Sequence, residues 1–501
     1  MTRSQWIVAS VTIVLLDSGA ALTSAQPRSL TILHTNDMHA QFTPHEAGWV
    51  KRTPKPMVGG FVRLKELIDS IRAVKPFTLV LDAGDVMTGN PITDRVYKGA
   101  EGGALFEMMN MIGYDAWCPG NHDLDISQDN LRALVRIAAF PTLSANLVNN
   151  QGGFPVGNRP YAVFERGGLK VAVIGLISPE LYNLVNQNNL VGIRVLSNTE
   201  TVQKYVGEVR STVDLVILLT HEGVDIDSAL ATAVQGVDLI VGGHSHTRLR
   251  SPKVVNGVPI VQTGSYTENL GEVDITVDSG RVVKLNGKLV PVWPSAAPPH
   301  NDVAALADSM QREIEKEYSE VLGILEQDWR RGEGQTAIGT FIADAQREAA
   351  AADVGFMNTH GIRKDQFAGP ITKRALFEIL PFRNTLVTFQ LSGKQLLDVM
   401  YYMLEGNPAI QVAGMTATYR KNSDGTVKIV DILVQDRPLE EEKMYVCAAS
   451  DYFVGEAKHY IGLEVPQVYY LKQTLFEAVE KAIRKAQKIT PRVLYTIQEV
   501  H

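Results

Sequence analysis

Asp and His, two residue types that bind divalent cations, recur wherever an apolar run of this chain ends. LTIL precedes Asp37 and His39, TLVL precedes Asp85, VDLVILL precedes His221, and VDLIV precedes His244 and His246. Asn121 and His122 stand in the run Pro119-Gly120-Asn121-His122-Asp123-Leu124-Asp125. Imidazole and carboxylate suit Zn²⁺, Mn²⁺ or Fe, and Asn adds a neutral carbonyl oxygen. Asp37, His39, Asp85, Asn121, His221, His244 and His246 together exceed what one tetrahedral ion requires, which points to two metals sharing Asp85. Two cations a few Å apart can activate a water and clamp the oxygens of a phosphoryl group during in-line displacement. His122 remains as an acid/base group, and Asp125, three residues on, can hold its second ring nitrogen.

Each motif also has a plainer reading. Asp37-Met38-His39 puts two ligand types on one side of an extended segment, yet such triplets arise by chance. Asp85 lies in LDAGD, where Gly84 permits a sharp turn, and an Asp there is often a cap or turn residue. The GNHD run can be a loop held by Asx turns, and a lone His after a strand is usually structural. Two such His sites, one of them His-x-His, shift the balance. A structural metal pair would close its shell with Cys or His, whereas Asn121 beside an unligated His fits catalysis. Cys118, next to GNHD, reads as a small buried residue ending a strand rather than as a nucleophile or ligand.

The elements that must position these residues follow from the same runs. A continuous apolar run reads as a parallel strand buried on both faces, and open α/β sheets build their sites beyond the strands' carboxyl ends. Strands are predicted over 30–34, 78–81, 116–118, 169–176, 214–219, 239–241 and 260–262, alternating with helices such as 60–74 and 104–112. That alternation predicts a sheet covered by helices on both faces. Residues 291–302, PVWPSAAPPHND, read as a linker. A charged helix is predicted over 302–322 with Asp302 as its N-cap. From about 335 onward, helices over 338–352, 394–404 and 471–487 mix with strands over 354–357 and 386–391. A hairpin is predicted from 417–419 and 428–434 around Ser423-Asp424-Gly425. This second region is expected to form its own α/β or α+β domain.

The 501-residue length is enough for two or more domains. With 48 Lys+Arg against 55 Asp+Glu, the formal charge of −7 argues against a broad footprint for nucleic acid or anionic membrane. Cys118 and Cys447 fall in different predicted domains, so no disulfide framework is expected. Residues 1–25 carry Arg3, an apolar stretch over 6–16, and small Thr23 and Ala25 flanking a cleavage point. They read as a secretory signal peptide and imply a periplasmic or secreted protein. A membrane anchor is the competing reading, countered by the short stretch and by Asp17. No later segment reads as transmembrane.

The order D-x-H, GD, GNHD, TH, GHSH resembles the calcineurin-like metallophosphoesterases. With the leader and the second domain, the chain is similar to their 5′-nucleotidase / UDP-sugar hydrolase branch. The resemblance implies a four-layer αββα metallophosphoesterase domain over 29–290, a linker and linking helix over 291–325, and a C-terminal α/β (α+β) 5′-nucleotidase-type domain over 326–501. It implies that Asp37, His39, Asp85 and His246 hold one divalent metal and Asp85, Asn121, His221 and His244 the other, with His122 and Asp125 as the catalytic dyad. His246 stands where some relatives carry Gln or Asn.

The C-terminal half resembles the family's substrate-binding domain through GTFIADA, NTHGIR, PIT, LPFRN and LSG. Asn358 and Arg363 match residues that bind substrate in those relatives. Arg331 matches after a one-residue slip, with an exposed surface Arg as the alternative. Three departures stand out. NGGGIR has become NTHGIR, so Thr359 and His360 fill space that glycines leave open. The relatives' first base-stacking Phe is expected before a Q-V pair, where this chain has Ala409 and Ile410. Their GGDG segment is missing after Asp451-Tyr452-Phe453, leaving Tyr452 as one aromatic face and no ribose-binding carboxylate. Stacking is worth roughly 1–3 kcal/mol per base, so weakened nucleoside recognition is expected.

These readings converge on a secreted two-domain phosphoesterase with a dinuclear centre, acting on small phosphoesters and foremost on nucleoside monophosphates. Rotation of one domain about the linker would carry substrate to the metals. The alternatives are a diesterase or pyrophosphatase acting on cyclic nucleotides or nucleotide sugars, a hydrolase of sulfur esters, and a non-catalytic surface binding protein.

Overall fold

The computed structural model describes residues 27–51, 54–278, 280–295, 301–406, 410–422, 424–465 and 467–500. The predicted leader, Ala409 and Ser423 lie outside them. Two sheets dominate the N-terminal half. One runs in the order Arg281–Pro291, Asn269–Asp278, Arg28–Thr35, Thr78–Asp82, Ala116–Trp117. The other runs Lys253–Val255, Val258–Val261, Leu239–Gly242, Leu215–His221, Leu169–Ile177, Tyr161–Arg166. Arg28–Thr35 and Thr78–Asp82 pair in parallel, as do Leu169–Ile177, Leu215–His221 and Leu239–Gly242.

Side-chain alternation sorts the apolar runs into layers. Leu30, Ile32, Leu79 and Leu81 of the first sheet meet Val171, Val173, Leu215, Ile217, Leu219 and Val241 of the second in one buried cluster. The intervening Leu33 and Val80 join residues of the helices Phe61–Val74, Gly103–Ile112 and Asp302–Tyr318. On the far side, Ala172, Ile174, Val216, Leu218 and Ile240 pack under the helices Asn198–Val209 and Val224–Ala233. The layers are therefore helix, sheet, sheet, helix. This is the four-layer αββα arrangement that the family resemblance implies, and it corrects the single helix-covered sheet that alternation alone predicts. The central strands are buried on both sides either way, and their runs of apolar residues do not say whether a helix or a second sheet covers a given side.

In the C-terminal half a five-stranded sheet has the order Ile410–Ala413, Val354–Asn358, Met444–Ser450, Thr385–Ser392, Tyr469–Thr474. Helix Ala337–Ala349 packs on one face through Ile338 and Ile342, and Gly393–Leu404 on the other through Leu396, Val399 and Met400. Several ends differ from expectation. The helix predicted over 302–322 ends at Tyr318, and Val321–Leu325 is a strand paired with Gly369–Thr372. Its cap is Asn301, whose side chain accepts from Ala304 N at 3.0 Å, rather than Asp302. The last helix starts at Leu475 because Thr474 and Glu477 form a capping box, and the Tyr-rich stretch before it is a strand. No helix among the described residues is long and apolar enough to cross a membrane.

The halves touch along one seam. Arg383 reaches Asp94 at 2.6 Å and Glu101 at 3.0 Å, Tyr318 meets Phe377 edge-on, and the Tyr452 hydroxyl donates to Asn183 O at 3.1 Å.

Ile217 lies fully buried between the sheets. Ile217→Ala is expected to lower stability by about 2–5 kcal/mol and Ile217→Val by about 0.5–1.5 kcal/mol in urea unfolding. Equal, negligible effects would be incompatible with this packing.

Candidate active site

The parallel strands of both sheets end at one rim, and the loops beyond them are tied together by their backbones. Asp37 N donates to Gly84 O at 2.8 Å, His39 N to Asp85 O at 2.9 Å and Ala40 N to Val86 O at 2.7 Å. The Asp37-Met38-His39 segment is not extended. Asp37, His39 and Ala40 have φ of 50°, 46° and 55°, and Asp85 has 55°. Left-handed backbone at non-glycine positions is costly and persists only where surroundings over-determine it, as this double loop does. Gly84, with φ +91°, lets the loops close: a Cβ there would sit 2.7 Å from both Gly120 N and His221 Nδ1. A Cβ at Gly120 would collide with Asp85 Oδ1.

All seven sequence-predicted ligand residues converge at this rim. Asp37, His39 and His246 offer ligand atoms within 4.8 Å of one another, and so do Asp85, His221 and His244. The sets adjoin: Asp85 Oδ2 lies 3.2 Å from His221 Nε2 and 4.0 Å from His39 Nε2. Asp37 Oδ1 lies 3.3 Å from His246 Nε2 and 4.0 Å from His221 Nε2. The Nε2 atoms of His39 and His246 face each other at 2.9 Å. His39 Nδ1 is 3.1 Å from Thr88 O and His221 Nδ1 2.6 Å from Ala83 O, which fixes both rings with Nε2 toward the cluster. Asn121 Oδ1 is buried with no hydrogen-bond donor. An orphaned acceptor beside two buried carboxylates and four imidazoles is a donor set suited to two divalent cations.

His122 stands beside this cluster. Its Nδ1 lies 2.8 Å from Asp125 Oδ2, which also accepts from Thr88 Oγ1 at 2.7 Å. Its ring stacks on Phe382 of the other half, with centroids 5.5 Å apart and planes at 26°. Sequence reasoning missed the groups that hold the loops. Asp123, buried, accepts from the backbone N–H groups of Asp85, Val86, Met87 and Gly120 at 2.8–3.1 Å. Asn36 donates to Asp37 Oδ2 at 2.6 Å and accepts from Thr263 N at 2.8 Å. Asp123 sat in the GNHD run in plain view, but nothing in the sequence separates a ligand from a carboxylate that caps backbone donors.

Burial and charge act against each other here. Burial pushes Asp85 up, but His221 and His122 outweigh it and hold the carboxylate well below its usual range. Asp37 behaves likewise, through His246 and His221. Burial, helped by the charge on His221, depresses His244 to about 4, and burial with His246 holds His39 far below the usual imidazole range, leaving both neutral as ligation requires. Burial also opposes protonation of His221 and His122, yet Asp85 lifts His221 to about 10, and Asp125 with Asp85 raises His122.

A cavity of about 850 Å³ opens from this cluster between the two halves. Asn358, Arg363 and Tyr452 line it, as does Arg331, which is half exposed and paired with Asp365 at 3.2 Å. Ile410 is buried in the C-terminal core and does not reach the cavity wall. Phe382 of LPFRN, which the sequence reading did not place there, also lines the cavity. His360 and Glu456 also line the cavity.

The family model described as calcineurin-like phosphoesterase matches residues 30–248, and that described as the 5′-nucleotidase C-terminal domain matches residues 319–463. Protein UshA of Escherichia coli is 28% identical over 508 residues, 89% of either chain. The trifunctional nucleotide phosphoesterase protein YfkN of Bacillus subtilis is 28% identical over 94% of this chain, which spans only 35% of that longer relative. The crystal structure of a 5′-nucleotidase precursor from Thermus thermophilus superposes with a TM-score of 0.82 at 26% identity, covering 94% of this chain and 99% of that one.

With its pKa near 10, His221 carries a proton at neutral pH that a cation must displace. Affinity for Zn²⁺ or Mn²⁺ is therefore expected to rise with pH up to about 10, with release of about one proton, measurable by calorimetry in buffers of different ionisation enthalpy. An affinity independent of pH, without proton release, would contradict this reading of His221.

Proposed function

We propose, from the premise that this chain belongs to the calcineurin-like phosphoesterases carrying a 5′-nucleotidase C-terminal domain and is a metal-dependent phosphoester hydrolase, that it hydrolyses nucleoside 5′-monophosphates to nucleoside and phosphate. The observation that carries this reading is the meeting of two ligand clusters with a cavity that has both guanidinium and aromatic walls. The names of two further relatives of this chain support it: 5′-nucleotidases of Vibrio vulnificus and Vibrio cholerae, 28% and 29% identical, are covered over 83% and 88% of their length.

In this reading Asp37, His39, Asp85 and His246 hold one divalent cation, and Asp85, Asn121, His221 and His244 the other. When bound, the cations supply Lewis acidity toward the phosphoryl oxygens and activate water. His122 has Nδ1 committed to Asp125, so Nε2 is the nitrogen that faces substrate. Asp125 and Asp85 favour its protonated form, which suits it to donate to the phosphoryl group as negative charge develops there. Arg363 and Arg331 supply planar donors for the phosphate side of the ligand, and Asn358 an amide. Tyr452 supplies a ring face for the base. Residues 29–290 act as the catalytic domain and 326–501 as the substrate-binding domain, and residues 1–25 direct the chain out of the cytoplasm.

His122→Ala is expected to retain its metals and lose about 10²–10⁴-fold in kcat on AMP or UMP. The same panel decides the substrate: turnover of cyclic nucleotides or nucleotide sugars without turnover of AMP or UMP would reject the monophosphate assignment. Unchanged phosphate release in the variant would reject the dyad.

Tyr452→Ala is expected to raise KM for nucleoside monophosphates about 5- to 100-fold, the equivalent of roughly 1–3 kcal/mol of stacking. Glycerol phosphate, which has no base, should be affected little. Equal effects on both substrates would remove Tyr452 from base recognition.

A further inference from the structure

The turn over residues 265–268 is built from the wrong residues for its shape. Glu268 N bonds back to Ser265 O at 3.2 Å, and the two central residues, Tyr266 and Thr267, both have φ of 56°. Two consecutive left-handed positions favour Asn and Gly, and side chains as large as Tyr and Thr are strained there. The surroundings hold the turn against that strain. Tyr266 N donates to Asp37 O at 2.8 Å, and Thr267 Oγ1 donates to Gln41 O at 3.1 Å while accepting from Gly60 N at 2.8 Å. Strain held in place at a site is a pointer to what the strained residue does there.

The conformation places the Tyr266 ring against His39 and His246, with centroids 5.4 and 5.8 Å away. The ring lines the same cavity as Asn121, His122 and Arg363. Among the described residues, no protein group hydrogen-bonds the Tyr266 hydroxyl. Tyr266 is half-buried in the cavity wall, so its phenol O–H is open to donate to water or to a ligand bound in the cavity.

We propose that Tyr266 is a further catalytic residue, whose hydroxyl donates a hydrogen bond to a non-bridging oxygen of the substrate phosphoryl group on the flank formed by Asp37, His39 and His246. This rests on the phosphoester-hydrolase reading above. The His122 side of the site and the Tyr266 side would then grip the phosphoryl group from two directions. The bond strengthens as charge accumulates on the phosphoryl oxygens, so it acts on the rate rather than on ground-state binding alone.

The test is Tyr266→Phe in the metal-loaded full chain, because it keeps the ring, its contacts and the backbone and removes only the hydroxyl. Kinetics are measured on AMP, with inorganic phosphate as competitive inhibitor, metal per chain by elemental analysis, and the thermal midpoint as a check on folding. The expected result is about a 10-fold loss in kcat/KM, seen mostly in kcat, and a smaller weakening of phosphate inhibition, with metal content and midpoint unchanged. Kinetics and phosphate inhibition within twofold of the parent would overturn the proposal. A loss of bound metal would also overturn it, since it would make Tyr266 a support for the ligand rings. If the parent chain hydrolyses no phosphoester at all, the functional reading fails instead, and parent activity therefore separates the two failures.

Discussion

Two carboxylates, Asp37 and Asp85, are buried side by side at the meeting point of two sheets, and the structure around them is organised by the need to balance their charge. A buried anion without partners is among the most expensive things a fold can contain. Here the partners are imidazoles from the Asp37 loop and from two further strand ends, the Asn36 amide and His244 N donating to Asp37, and His122 N donating to Asp85. Imidazoles alone cannot serve as neutral ligands and as counter-charges at once. Divalent cations resolve that conflict, because they neutralise the carboxylates and accept neutral imidazoles together.

The αββα layering follows from the same requirement. Ligands come from the ends of Arg28–Thr35 and Thr78–Asp82 in one sheet and of Leu215–His221 and Leu239–Gly242 in the other. Only sheets packed face to face, with their parallel strands ending at one rim, bring both sets within coordination distance. The interior between them is apolar and close packed, so the rim is rigid and the loops above it can hold left-handed backbone at Asp37, His39 and Asp85. The C-terminal half completes the site from outside: Phe382 covers the His122 ring, and the neighbouring Arg383 anchors that loop to Asp94 and Glu101.

The convergence of Asp37, His39, Asp85, Asn121, His221, His244 and His246 was legible in the sequence because strand ends are visible as places where apolar runs stop, and Asp, Asn and His there have few other uses in combination. The contact between His122 and Asp125 was legible from their three-residue spacing. The layering was legible from the motif order through the family resemblance but not from the apolar runs themselves, because a strand buried beneath a helix and one buried beneath a second sheet have the same composition. The local shape of Asp37-Met38-His39 was not legible either: extended geometry is the default after a strand, and the turn is imposed by hydrogen bonds to residues 84–86, far away in the chain. Phe382 went unrecognised as a cavity wall because Pro-Phe-Arg-Asn reads as a generic loop until the two halves are seen in contact. Tyr266 was hidden for a similar reason, since a Tyr-Thr pair gives no sign of two left-handed residues.

Anomalous diffraction from crystals grown with Mn²⁺ or Zn²⁺ tests the central claim most directly. The account predicts two anomalous peaks at this rim, a few Å apart, with the Asp85 carboxylate bridging them and Asn121 and His246 on opposite ions. One peak alone, or ions bound elsewhere while Asp37 and Asp85 remain without metal, would contradict it.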